Sequence, residues 1–144
     1  IHKLKDLPVE KEFPILDKAL WEEDEERKPY FLKIAIPKVK EEWSTLIKVT
    51  EEWTVNEANN TEAWYEHGYA NEMLNSTKEA IKYYKRALAI DSMNSDALFR
   101  IGILENSLGH TVEAKKILTS LNDLNPARAD ELDEIINCQD KCKK

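Results

Sequence analysis

The fold is decided by two adjacent stretches of the sequence, TEAWYEHGYANEMLNSTKEAIKYYKRALAIDSMN (residues 61–94) and SDALFRIGILENSLGHTVEAKKILTSLNDLNPAR (residues 95–128). Laid over one another without a gap, they carry similar or small residues at matched positions: Trp64 with Leu98, Gly68 with Gly102, Asn75 with Gly109, Ala80 with Ala114, Tyr84 with Leu118, and Ala87 with Leu121. A period of 34 residues is typical of a solenoid of stacked helical hairpins.

The matched small residues indicate close approach between helices. Gly68 and Gly102 lie one helical turn after the large residues at positions 64 and 98, and a glycine inside a helix costs about 1 kcal/mol. Ala80 and Ala114 supply small side chains on the second helix of each hairpin. We therefore expect the backbones of the two helices to touch at these positions.

Turn signals divide each repeat into helices. Asn75 and Gly109 tolerate a left-handed backbone and would end the first helix of each hairpin, whereas Thr61 is a candidate N-cap. Pro126 cannot continue a helix. These signals predict helices over residues 61–74, 77–90, 95–108 and 112–124, followed by a last helix from 127 to about 141 that caps the open end of the solenoid.

The repeated positions resemble the pattern of the tetratricopeptide repeat family. The first copy carries it in Trp64, Gly68, Ala80, Tyr84 and Ala87, and the second in Leu98, Ile101, Gly102, Leu108, Gly109, Ala114, Leu118, Leu121 and Pro126. The copies depart from it at His67, where the family prefers leucine, and at Asn71 and Glu105, where it prefers an aromatic residue. The resemblance covers about residues 60–126 and implies an all-α, right-handed helical-hairpin solenoid that binds protein.

The rest of the chain is predicted to flank these repeats. Residues 1–36 form an N-terminal extension with an acidic helix, and residues 37–144 form the helical domain: a leading helix at 37–59, repeats at 61–94 and 95–128, and a capping helix at 129–144. Pro37 would occupy the first turn of the leading helix. A shift of 34 residues places Tyr30 under Trp64 but Ile34 under Gly68, so a degenerate third repeat stays an open alternative. So does a short strand over residues 30–36, although a helix is favoured there.

Composition narrows the classes of function. The 144 residues carry a net charge of −7, and an acidic chain repels nucleic acid and anionic lipid. Only 3 glycines and 5 prolines argue against a turn-rich β fold, and no apolar run is long enough for a membrane span. The chain begins with Ile1, so we expect the native start to be missing, and no compartment can be predicted.

A partner-binding face is predicted on the first helices of the two repeats, which the resemblance places on the concave side. Its residues are Glu62, Tyr65, Glu66, Tyr69, Glu72, Met73, Asp96, Phe99, Arg100 and Ile103. An aromatic and aliphatic stripe bordered by carboxylates suits a peptide with apolar anchors and lysine or arginine beside them. The alternative is that the stripe packs against the N-terminal helices or the last helix. Some family members grip a terminal carboxylate with Lys, Asn and Arg, and that clamp is essentially absent, since Arg100 is its only basic member.

No motif for catalysis, a cofactor or a metal is found. Cys138 and Cys142 lie one helical turn apart and are expected to be free or locally oxidised thiols, since zinc would need four ligands. His67 is expected to be a packed histidine rather than a catalyst. The leading hypothesis is a non-enzymatic adaptor or assembly scaffold, and the alternative is a structural domain of a larger enzyme or complex without a free-peptide site. A homo-oligomer is also allowed.

Overall fold

A computed structural model describes the backbone of residues 28–142 and the side chains of residues 28–138. This part of the chain is entirely helical, apart from turns. Its elements, in chain order, are α1 (Tyr30–Val39), α2 (Trp43–Asn56), α3 (Thr61–Met73), α4 (Thr77–Ile90), α5 (Ser95–Ser107), α6 (Thr111–Leu124) and α7 (Pro126–Cys142). The predicted all-α class is confirmed. The predicted acidic helix before residue 28 lies outside the described residues.

The 34-residue period extends to a third hairpin. Helices α2, α4 and α6 begin at residues 43, 77 and 111, and α1, α3 and α5 end at residues 39, 73 and 107. The hairpins are therefore α1–α2, α3–α4 and α5–α6, with α7 following as the cap. The strand alternative for residues 30–36 is wrong, because this segment is part of α1.

Each hairpin turns through one left-handed residue. The residues at positive φ are Glu41 (57°), Asn75 (63°) and Gly109 (83°), again 34 apart. In each turn a backbone amide reaches back five residues to a carbonyl: Glu42 to Pro37 (2.8 Å), Ser76 to Asn71 (2.9 Å) and His110 to Glu105 (2.9 Å). This bond satisfies a carbonyl that the helix end would leave without a partner.

The turn at Glu41 corrects the prediction for the leading segment. The single helix expected over residues 37–59 is two helices, and the expected boundary between residues 36 and 37 falls inside α1. Pro37 lies near the end of α1 rather than in a first turn. In the later repeats, asparagine or glycine signals the left-handed turn, whereas a glutamate at positive φ gives no such signal.

Each first helix after α1 packs against the helix before it. Leu46 and Trp53 of α2 share a core cluster with Ala63 and Ala70 of α3. A second cluster joins α4 and α5, and a third joins α5, α6 and α7. Because every element buries apolar surface on its neighbours, the described chain forms one stack.

Asparagine side chains begin the first helices of both family-like repeats. Asn60 Oδ1 accepts a hydrogen bond from the backbone amide of Glu62 (2.9 Å), and Asn94 Oδ1 accepts one from Ala97 (3.1 Å). Thr61, the predicted N-cap, is instead the first residue of α3. Its hydroxyl donates to the Ala87 carbonyl at 3.0 Å and so ties the start of α3 to the end of α4.

The two helix glycines receive large side chains rather than a neighbouring backbone. A Cβ atom at Gly68 would lie 2.8 Å from the ring of Tyr84, and one at Gly102 would lie 2.6 Å from Leu132 Cδ2 and 3.3 Å from Ile117 Cγ2. The expected contact between backbones is therefore replaced by a ring or a branched side chain lying on the glycine. Gly102 therefore makes room both for Leu132 of the cap α7 and for Ile117 of its own hairpin.

We expect Gly102→Leu to lower the free energy of unfolding by about 3 kcal/mol, because the added atoms compete with Leu132 for the same space. Urea denaturation measures this loss. Gly102→Ala should cost much less, since the terminal methyl of Leu132 can move. Gly109→Ala is the control for backbone strain alone, because no atom lies within 4 Å of the added Cβ. An unchanged denaturation midpoint for Gly102→Leu would contradict the packing argument.

Candidate functional site

The predicted binding residues lie on α3 and α5, on the surface that we call the A-helix face. It comprises the predicted residues of α3 and α5 together with the residues of α1 that lie 34 positions before those of α3, which are Phe31, Leu32, Ala35, Lys38 and Val39. Of the ten predicted residues, two are exposed, Glu62 and Asp96; six are half-buried, Tyr65, Tyr69, Glu72, Met73, Arg100 and Ile103; and two are buried, Glu66 and Phe99. The predicted stripe is thus not uniformly open.

The α5 end of the stripe is covered by the cap. Phe99 is only 7% exposed and belongs to a core cluster with Ala129 and Leu132 of α7. The guanidinium of Arg128 lies 4.7 Å from the centre of the Phe99 ring and 3.7 Å from the carboxylate of Asp96. Phe99 is therefore a core residue, as the packing alternative expected, and not an exposed anchor.

A polar network joins α3, α4 and α5 at the middle of the face. Tyr84 donates its hydroxyl hydrogen to Glu72 Oε1 at 2.8 Å, and Arg100 donates to Glu72 Oε2 at 3.2 Å. Burial is the main cause that raises the pKa of the Tyr84 hydroxyl, with the Glu72 carboxylate adding to the effect. Burial and nearby carboxylates outweigh Arg100 in raising the pKa of Tyr65 as well. Both hydroxyls therefore stay protonated at neutral pH, and that of Tyr84 is the donor to Glu72.

Two cations flank the ring of Tyr69. Lys38 Nζ lies 5.2 Å and Arg100 Cζ 5.5 Å from the ring centre, within the range of cation–π attraction. Lys38 also pairs with Glu66 at 3.1 Å. Burial raises the pKa of the Glu66 carboxyl, and Lys38 opposes that shift. Lys38 of α1 and Arg100 of α5 are thus already engaged with residues of α3.

This pairing changes the electrostatic picture drawn from the sequence. Glu66, Glu72 and Asp96 were expected to border the stripe as carboxylates available to a basic partner. Each instead has a cation from a neighbouring first helix or from α7 beside it. Among the residues that the structure describes, Glu62 is the member of the four without an ion pair.

Sequence analysis missed the continuation of the face onto α1. Residues 34 positions before Tyr65 and Met73 are Phe31 and Val39, whose side chains are 64% and 83% exposed. Ala35, at the position equivalent to Tyr69, is also exposed. The shift of 34 residues that places Tyr30 under Trp64 also places Phe31 under Tyr65, but the leading helix was predicted to begin at Pro37, so these residues were assigned to the N-terminal extension.

His67 is a packed residue, as expected. It is 6% exposed, its Nδ1 lies 2.9 Å from the Thr50 hydroxyl, and its ring centre lies 4.3 Å from that of Tyr83. Burial lowers the pKa of His67, and the carboxylate of Glu51 opposes that shift. Its role is to join α2 to α3 and α4.

No group of three or more His, Cys, Asp or Glu side chains that could hold a metal occurs among the described residues. None of the described helices has both the length and the apolar character needed to cross a bilayer. Cys138 is exposed on α7, and the Cys142 side chain lies outside the described residues.

Comparison with protein-family models gives two matches to tetratricopeptide repeats, at residues 61–92 and 96–127. This chain belongs to the tetratricopeptide repeat family. These matches cover the two hairpins whose residues carried the resemblance, and tetratricopeptide repeats form protein-interaction modules. The curated proteins contain no match to the sequence.

Solved structures, two of them of tetratricopeptide repeat domains, share the fold. The TPR domain of Arabidopsis OM64 is 19% identical with a TM-score of 0.69, and the match covers 74% of this chain and 90% of that domain. The TPR2B domain of yeast Sti1, in its complex with pHsp70, is 18% identical with a TM-score of 0.69, over 75% of this chain and 90% of that one. MamA is 18% identical with a TM-score of 0.61, over 92% and 88%. At these identities the likeness establishes the fold alone.

The buried His67 predicts a pH dependence of stability. An unfolded chain protonates this histidine near pH 6.5, whereas the folded chain resists protonation because the pKa is lowered. The unfolded state therefore binds more protons below about pH 6.5. As the pH is lowered from there, this residue lowers the free energy of unfolding by at most about 1.4 kcal/mol per pH unit. Denaturation of the wild type and His67→Gln between pH 7.5 and pH 5 measures it. The variant should show the smaller slope, and equal slopes would contradict this assignment.

Proposed function

We propose that this tetratricopeptide repeat chain is a non-enzymatic adaptor or assembly scaffold that holds a partner peptide or helix on its A-helix face. The observation that carries the proposal is the exposed apolar surface of α1, which continues onto the half-buried tyrosines of α3. Large exposed apolar patches on a folded protein mark sites of interaction.

The openness of the face increases from α5 towards α1. Phe99 lies beneath α7, Tyr65 is half-buried, and Phe31 is 64% exposed at the equivalent position. A partner with apolar anchors would therefore bury most surface over α1 and α3. Ile103 and the other α5 members contribute the edge of the site rather than its centre.

Basic residues of the partner beside those anchors would pair with one carboxylate of the face, that of Glu62. Glu62 is exposed and has no ion pair within the described residues, so a lysine or arginine of the partner could lie against it. The Sti1 domain is seen with pHsp70, but this chain has Tyr65, Tyr69 and Ile103 where a carboxylate clamp needs polar groups. Its Arg100 is already paired with Glu72. The proposed partner is accordingly held by apolar contact.

A second candidate is a structural domain of a larger enzyme or complex, with no free-peptide site. The covering of Phe99 by α7 and the ion pairs of Glu66, Glu72 and Asp96 favour it, because both make part of the face self-contained. A third candidate is that the exposed apolar face binds a second copy of this chain. Phe31→Ala and its control variant, described next, distinguish these three candidates.

Two phenylalanines in equivalent positions provide the test. Phe31→Ala should change the free energy of unfolding by less than about 0.5 kcal/mol, since the side chain is exposed, and should deplete the proteins that copurify with the chain. Phe99→Ala should cost about 3–5 kcal/mol, as for a core aromatic residue. Denaturation and quantitative comparison of copurified proteins give the two readouts.

Val55→Ser on α2 is the matched control, because Val55 is also exposed but lies away from the face. If Phe31→Ala and the control retain the same copurified proteins as the wild type, the adaptor proposal fails and the structural-domain candidate is favoured. If light scattering shows that the wild type self-associates and Phe31→Ala does not, the face is an oligomer interface.

A further inference from the structure

Helix α1 is apolar on opposite sides. Ile34 and Pro37 are buried towards α2, whereas Phe31, Ile36 and Val39 point outwards and are 64%, 55% and 83% exposed. A helix that is apolar around most of its circumference is normally covered on both sides. The outward side of α1 therefore has the character of a surface that another element covers.

The later hairpins show what kind of element covers it. Ile36 is equivalent to Ala70 of α3 and Leu104 of α5, which are 0% and 7% exposed. Ala70 shares its core cluster with residues of α2, and Leu104 shares its cluster with residues of α4. In both hairpins the covering element is a helix packed along the first helix. Within residues 28–142, no helix precedes α1 to do the same.

The charge around this side is basic. Residues 28–40 contain Lys28, Lys33, Lys38 and Lys40 and no carboxylate, in a chain whose net charge is −7. Lys38 is paired with Glu66, and Glu41 and Glu42 follow in the turn. Lys33, whose ammonium lies 4.8 Å over the Tyr30 ring, and exposed Lys40 lie beside Ile36 on the helix surface.

A cavity lies on the side of α1 that faces α2, and Lys33 is the residue that it shares with the basic surroundings of the outward side. It has a volume of about 630 Å³ and lies between α1 and α2, with Tyr30, Lys33, Val49 and Glu52 among its lining residues. In the next hairpin the equivalents of Tyr30 and Val49 are Trp64 and Tyr83, whose rings stack at 6.0 Å. Val49 is smaller than the equivalent Tyr83, and Tyr30 stacks on Trp53 instead, so the space between α1 and α2 stays open.

We propose that the outward side of α1 is the docking site for an amphipathic helix of another protein, with aspartate or glutamate flanking its apolar stripe. This inference rests on the proposed function and concerns the part of the partner that lies over α1, away from Glu62 of α3. The apolar stripe covers Phe31, Ile36 and Val39, and the carboxylates face Lys33 and Lys40. Packing of this kind repeats the arrangement of α2 on α3.

The test uses the full chain and two labelled synthetic helices of about five turns. Both carry leucines at the same helical spacing, one with glutamates and the other with lysines beside them. Fluorescence anisotropy should give tighter binding of the glutamate peptide, with an affinity that falls as salt is raised. Val39→Ser should weaken it about tenfold through lost apolar burial, and Lys40→Glu about three- to fivefold.

Val55→Ser and Lys85→Glu, at exposed positions of α2 and α4, are the controls and should leave binding within about twofold. Preference for the lysine peptide, with the same sensitivity to Val39→Ser, would overturn the acidic partner while leaving the proposed function standing. If neither peptide binds, the inference is overturned. This holds equally if the face is occupied by residues 1–27 or by a second copy of the chain. Copurification with Phe31→Ala tests the proposed function separately, because that measurement does not depend on the synthetic peptides.

Discussion

In all three hairpins, the residue two places after the first helix adopts a left-handed backbone, and the amide after it bonds back to a helix carbonyl. This turn fixes where the second helix starts, and so fixes which faces of the two helices meet. Because it recurs every 34 residues, the first helices lie as neighbours across successive hairpins. The ion pairs of Lys38 with Glu66 and of Arg100 with Glu72 exist only because of that alignment.

The polar pairing between first helices gives the face its charge balance. Glu66 and Glu72 are largely removed from solvent, and an unpaired carboxylate there would be costly. Pairing with Lys38 and Arg100 removes that cost, and Tyr69 lies between the two cations. The middle of the face is therefore preorganised by ion pairs and cation–π contacts, while Glu66 Oε2 is buried without a hydrogen bond. A partner gains little by competing for these charges and more by covering the apolar surface beside them.

The sequence predicted the fold well where local chemistry repeats. The helices of residues 61–124 were placed within about one residue of their observed ends, because Asn75 and Gly109 mark the turns. The leading hairpin was left as an open alternative, a degenerate third repeat, because Ile34 falls where the later repeats have glycine and Glu41 carries no local signal for positive φ. The candidate site was predicted less well, because exposure depends on which elements cover a helix. Nothing in the local sequence around Phe99 shows that Leu132 and Arg128 lie over it.

Phe31 and Phe99 make that dependence plain. They are the same residue type at the same position of the repeat, yet one is 64% and the other 7% exposed. The difference lies in the neighbour, since α7 packs on α5 and no described helix lies over the outward side of α1. In a stack held by nearest-neighbour contacts, an apolar side chain with no described helix beside it keeps its surface available for another contact. Phe31, Ile36 and Val39 can then serve recognition by the same apolar contacts that stabilise the interior, which is why the binding surface is sought at α1 rather than at the centre of the repeats.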